Sequence, residues 1–166
     1  MPPLKPLVFD TDGTPREVSA AEVIVANVAS VDIYSATNGN AAGITFGQVV
    51  YKNSVAGKID LANAAASGTM RSIGVVYDPT VAANAAGNIQ LSGIITYTNT
   101  QIAALVDGAP GAGFTPGQLY YLSDLVAGNM SAAVPASGTG HYIAHVGIAL
   151  SANDLDILPR VIGKRA

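Results

Sequence analysis

The sequence predicts an all-β protein made of two related small antiparallel β-units, barrel or sandwich-like, with one short helix and an extended N-terminal arm. Three observations carry that expectation. Short runs rich in β-branched residues alternate with Gly, Pro and Asn turns along the whole chain. A single stretch, at about residues 100–106, has helical spacing. Positions also recur about 70 residues apart: Gly43, Thr45, Gly47, Gln48 and Tyr51 answer to Gly113, Thr115, Gly117, Gln118 and Tyr121, and Ser67-Gly68-Thr69 to Ser137-Gly138-Thr139. The expected organisation is an arm over 1–17, a first β-unit over 18–98 and a second over 99–166.

Taken in order, residues 1–6 hold three prolines, which fix φ and remove backbone donors, so the chain should start extended. Asp10-Thr11-Asp12-Gly13 is a turn signal, after which the chain can re-enter as a strand or short helix near Arg16. Residues 22–34 are strand-like and Asn38-Gly39-Asn40 turns. A strand at 48–52, a turn at 53–57 and the polar-apolar alternation of Lys58-Ile59-Asp60-Leu61 read as a hairpin. Strands follow at 70–77, ended by Pro79, and at 89–98, with Gly93 as an expected bulge. Thr98 or Thr100 can cap the helix, Ile102, Leu105 and Val106 share one face, and Gly108 supplies a C′ stop. At about two turns the helix must lie on a sheet. Residues 108–113 form a Gly-rich loop, and Pro116-Gly117 predicts a type II turn. Strands are expected at 118–123, 129–134 and 140–150, and Asp154-Leu155-Asp156-Ile157 matches Asn88-Ile89-Gln90-Leu91, with Pro159 marking a sheet edge.

Composition narrows the function. Hydrophobic residues reach 49 % but much of that is Ala, Trp is absent and charged residues are only 11 %. The surface is therefore one of Ala, Ser, Thr, Asn and Gly, which suits contacts between subunits. A net charge of −3 offers no footprint for nucleic acid. Without cysteine there is no disulfide framework or thiolate site, and no apolar run approaches a membrane span or a signal peptide's core. The expectation is a soluble chain made without Sec export, with no nucleic acid or membrane partner and no cofactor.

Candidate chemistry is thin. Leu7-Val8-Phe9-Asp10-Thr11-Asp12-Gly13-Thr14 resembles the first motif of haloacid-dehalogenase-type phosphatases, in which the first Asp attacks phosphorus and the second serves as acid and base. The later motifs of that family and its alternating long helices are missing, so an Asx turn is the preferred reading and phosphatase use of Asp10 and Asp12 ranks third among functions. The same residues start like a calcium loop, but Ala21 stands where the bidentate Glu belongs. His141 and His145 are the only histidines. In a strand they would sit roughly 13 Å apart, too far to share one ion. No catalytic residue and no metal ligand is assigned, and the chain is not expected to be an enzyme.

The second half carries a resemblance. Its GFTPGQLYYLS, the return strand, SGTGHYIAHVGIALS and the closing DLDI look like a module of tailed-bacteriophage virion proteins among head fibre, tail and capsid decoration proteins. A small, Cys-free, Ala/Gly/Thr-rich chain with a proline-rich arm is most similar to capsid decoration, or head cement, proteins. The resemblance implies an all-β homotrimer, made in the bacterial host cytoplasm, that binds the major capsid protein from outside the virion and stabilises the shell. On that reading Pro2, Leu4, Leu7, Val8 and Phe9 are the capsid-binding anchors of the arm. The alternative is a tail or head fibre or baseplate module binding a host surface glycan, against which the lack of Trp argues.

Overall fold

The computed structural model describes residues 31–108, 113–135 and 141–164, together with the backbone of 7–9 and 15–17. Within the arm, Leu7–Phe9 (β1) pairs antiparallel with Pro15–Glu17 (β2), in keeping with a strand near Arg16. The rest of 1–30 lies outside the described residues, including most of the strand expected from Glu22.

The first half of the described chain is a five-stranded barrel with extra strands. Asp32–Asn38 (β3), Val49–Lys52 (β5), Lys58–Leu61 (β6), Ser72–Val76 (β7) and Ala86–Thr96 (β9) are joined in a ring in the order β9-β3-β6-β5-β7 and back to β9. Ile44–Thr45 (β4) and Thr80–Val81 (β8) form a separate two-stranded pair. Its Ile44 and Val81 complete the barrel core with Ala36, Val50, Ile59, Val76 and Ile89. Alternation explains how the wall is built: in Lys58-Ile59-Asp60-Leu61 only Ile59 is fully buried.

The helix forms where its cap signal sits. Asn99–Leu105 (α1) starts at Thr98, whose side chain accepts the Gln101 amide while Gln101 Oε1 accepts the Thr98 N–H at 2.7 Å. Ile102, Leu105 and Val106 are buried. The stop is not Gly108: Val106 is already extended, and the chain passes straight into Val106–Asp107 (β10).

Beyond the helix, Leu119–Leu122 (β11), Met130–Ser131 (β12), Tyr142–Ala149 (β13) and Asp154–Lys164 (β14) complete one sheet. The order β10-β12-β11-β13-β14 continues through β14 onto β9. The pairing order and directions follow those of β3-β6-β5-β7-β9, except that β10 and β14 do not pair with each other as β3 and β9 do. The return strand expected over 129–134 shrinks to two residues, because Ala132, Ala133 and Val134 turn out to solvent.

One expectation is corrected. Each half was expected to be antiparallel, yet β3 runs parallel to β6 and β10 parallel to β12. Side-chain alternation reports which residues face inward and carries no information on the direction of the neighbouring strand, so this was not legible beforehand. The bulge expected at Gly93 falls nearby instead: β3 and β9 shift register across Leu91, while Gly93 takes φ 89° where β9 passes from the barrel to β14.

The register repeats in detail. Val49, Val50 and Tyr51 oppose Val75, Gly74 and Ser72, with a shift after Val50. Leu119, Tyr120 and Tyr121 oppose Ile148, Gly147 and His145, with a shift after Tyr120. The bulge brings the next strand's backbone close, so a Cβ would lie 2.1 Å from the Gln90 carbonyl at Gly74 and 2.3 Å from the Asp156 carbonyl at Gly147. Only glycine fits without moving a strand.

The larger core cluster takes residues from both halves, among them Val49, Val75, Ile95, Tyr97, Phe114, Leu122, Leu155 and Ile157. Tyr97 is 2 % exposed, stands edge-on to Phe46 and to Phe114 at 5.4 Å each, and Phe114 continues to Tyr120 at 4.9 Å. Backbone bonds add to the join, with the Val49 N–H donating to Gly128 O and the Ala64 N–H to Ser123 O, both at 2.8 Å.

Replacing Gly147 by Ala should therefore cost about 2 kcal/mol or more, since the strain falls on backbone. Gly163→Ala, with nothing within 4 Å of the added methyl, should leave the urea unfolding midpoint unchanged.

Candidate functional site

The capsid-binding candidates of the arm divide in two. Pro2 and Leu4 lie outside the described residues, as do Asp10 and Asp12 of the phosphatase-like motif. Leu7, Val8 and Phe9 form β1, where only the backbone pairing is described.

The two histidines go to different partners. His141 precedes β13 by one residue, and its Nδ1 is 2.8 Å from Asp124 Oδ2, a carboxylate only 7 % exposed in the turn between β11 and β12. His145, inside β13, stands edge-on to the Tyr121 ring at 4.8 Å and opposite Arg160 in register. Partial burial, and then the Arg160 charge, push the His145 imidazole below its ordinary pKa. Among the described residues no three His, Asp or Glu side chains cluster as metal ligands.

A second polar cluster is structural. Asp107, at the end of β10, accepts from Ser123 Oγ and from Asn129 Nδ2, and Ser123 Oγ in turn accepts the Leu125 and Val126 amides at 3.0 Å. That ties β10 to the β11–β12 turn. Asp154 holds the mouth of the β9–β14 pair, accepting from Thr96 Oγ1 at 2.6 Å and Ser151 Oγ at 2.8 Å. The two bonds, Thr96 first, keep its carboxyl below the usual range.

Exposed apolar side chains also line one edge of β14. Its pairing with β9 ends at Ile157, so from Leu158 to Lys164 it has a strand partner, β13, on one side alone among the described residues. Leu158 is 54 % exposed and Ile162 53 %, and Val161 is also exposed. Pro159 sits where the register with β13 slips between Arg160 and Ile157, which is where a residue without an N–H is tolerated. Two open grooves, of about 420 and 390 Å³, meet at Pro159: one reaches Ser92, Leu158 and Arg160, the other Tyr34, Ile73 and Leu91. An unpaired edge with apolar side chains can add a strand or bury a partner's surface.

A third cavity, of about 610 Å³, differs in character. Tyr51, Lys52, Ser54, Thr69, Arg71 and Ile73 line it, on the barrel side near the β5–β6 turn. Reading the sequence alone missed both this cavity and the Asp124–His141 pair. No short-range pattern marks either one, because Asp124 and His141 meet across 17 residues and Lys52 and Arg71 only through the β5–β7 pairing.

No family model matches this chain, and no curated protein matches it either.

Both perturbed groups weaken the fold in acid. The unfolded chain takes up a proton on His145 near pH 6.5 while the folded chain resists, so stability falls as pH drops below that value until the folded group also titrates. Asp154 contributes stability above its unfolded value of 3.8, lost as pH falls through its lower folded value. In urea unfolding, His145→Gln should flatten the change between about pH 7 and pH 5, and Asp154→Asn the change below about pH 4.

Proposed function

We propose that this chain is a structural protein of a tailed-bacteriophage virion that binds the outside of the capsid as a decoration, or cement, protein and stabilises it. The observation that carries the reading is the β14 edge: Leu158, Val161 and Ile162 lie exposed on a strand without an outer neighbour among the described residues, in a chain with only 11 % charged residues. Burying such surface between many copies adds interface energy to a shell. The resemblance of GFTPGQLYYLS and SGTGHYIAHVGIALS to virion modules supports the same reading.

The chain is, on this proposal, a duplicated β-unit, and the repeated registers around Gly74 and Gly147 support that origin. The association is with the major capsid protein and with further copies of the chain as a homotrimer. For the alternative, a glycan-binding fibre, Tyr120 is withdrawn as a sugar platform at 3 % exposed, whereas Tyr121 and Tyr142 are half-buried and Tyr77 is exposed.

The arm supplies the anchors Pro2, Leu4, Leu7, Val8 and Phe9. Deleting residues 1–9 should abolish binding to purified undecorated capsids in a co-sedimentation assay while the oligomer seen by light scattering persists. Undiminished binding would sink the assignment of the arm.

A further inference from the structure

Asn38-Gly39 is the only Asn-Gly pair in the chain. Such pairs lose side-chain ammonia readily, because a second residue without a Cβ lets its backbone nitrogen reach the Asn carbonyl carbon. In an exposed turn, as the sequence suggests here, that reaction runs freely. The structure places the pair differently. Asn38 is the last residue of β3 and is 0 % exposed.

Every polar group of Asn38 is engaged. Its backbone N–H donates to Ala85 O at 2.8 Å, and its carbonyl accepts the Asn84 N–H at 3.0 Å. Nδ2 donates to Ala42 O and to Val81 O, both at 2.9 Å, and Oδ1 accepts the Asn40 N–H at 2.8 Å. The side chain thus ties the end of β3 to β8 and to the run leading into β4, the pair whose Ile44 and Val81 complete the barrel core. The attacking nitrogen is held as well, because the Gly39 N–H donates to Ile59 O of β6 at 2.7 Å.

We propose that Asn38-Gly39 is a deamidation site kept silent by the closed barrel and released when the barrel opens, and that the reaction makes the opening irreversible. In the open chain Gly39 N gives its proton to solvent and bonds to Asn38 Cγ, the Cγ–Nδ2 bond breaks, and ammonia leaves. Water then opens the cyclic imide at either carbonyl, leaving aspartate or isoaspartate. Water is the co-reactant, and nothing is oxidised or reduced. Neither product can rebuild the closure. A carboxylate has no proton for Ala42 O or Val81 O and would be buried against both. Isoaspartate also lengthens the backbone by a carbon where it meets Ala85 O and the Asn84 N–H. The site is independent of the capsid reading, and either can fail without the other.

The test is incubation of the full-length protein in mildly alkaline buffer, folded and in urea, beside an end-blocked peptide of residues 36–41. Peptide mapping by mass spectrometry follows aspartate and isoaspartate at position 38. The unfolded chain and the peptide should react alike, and the folded chain about a thousandfold more slowly, the ratio by which a stable fold outnumbers its open form. Val81→Ala, which loosens the cap and leaves Asn38 and Gly39 in place, should speed the folded chain's reaction about tenfold or more. Chain deamidated at position 38 in urea should not regain the parent unfolding midpoint on dilution, and Asn38→Asp should share that defect. Asn40→Asp, at a side chain that accepts from the Ala42 N–H, should fold as the parent does. Reaction of the folded chain at the peptide's rate, an unchanged rate in Val81→Ala, or a deamidated chain that refolds to the parent midpoint overturns the proposal.

Discussion

Tyr97 is where the two halves of this protein are held to one another. It follows directly on β9, the strand that the barrel and the second sheet share, and its ring is wedged between Phe46 from the barrel side and Phe114 from the other. A chain with no Trp and few aromatics has placed a run of four, Phe46, Tyr97, Phe114 and Tyr120, in edge-to-face contact along this join. Aliphatic and alanine side chains alone would bury less area there. The Tyr97 hydroxyl is 3.4 Å from Gly47 O, and complete burial raises its pKa. The barrel has a core cluster of its own, and the larger cluster, which draws on both halves, packs them against one another.

The same join decides what is left open. β9 bends at Gly93 and gives its last residues to β14, so the barrel closes on β3 and β7 while the second sheet hangs from β9. Since β14 outruns β9 by seven residues, Leu158 to Lys164, its far end has, among the described residues, a strand partner on one side alone. Natural sheets usually blunt such an edge with charge or proline. Here Pro159 interrupts the register once and Arg160 and Lys164 carry charge, while Val161 and Ile162 between them are apolar and exposed. A surface poor in charge and an apolar sheet edge point in the same physical direction, toward contact with other copies or another protein.

The candidate sites were legible to different degrees. The histidines drew attention through their i, i+4 spacing, and the structure gives each its own neighbour, Asp124 for one and Tyr121 with Arg160 for the other. No spacing rule links Asp124 to His141, which stand on a turn and beside a strand 17 residues apart. The cationic cavity was hidden for the same reason, since Lys52 and Arg71 are neighbours only through the β5–β7 pairing.

Local physics made much of the secondary structure readable from the chain alone. Lys58–Leu61 was expected to the residue from its alternation, the Thr98 cap located the helix, and the turn at Pro116-Gly117 appears with the Gln118 N–H donating to Thr115 O at 3.0 Å. The sequence by itself therefore determined an all-β chain with one short helix, the places where it turns, and the recurrence of its segments. Only the tertiary structure decided that β3 and β6 run parallel, that five strands close into a barrel and that β14 extends past its pairing with β9. The reason is range: alternation, caps and turn residues act over a few neighbours. Strand direction and closure depend on which distant segments share a core, and here that core brings Val49 and Val75 together with Leu155 and Ile157.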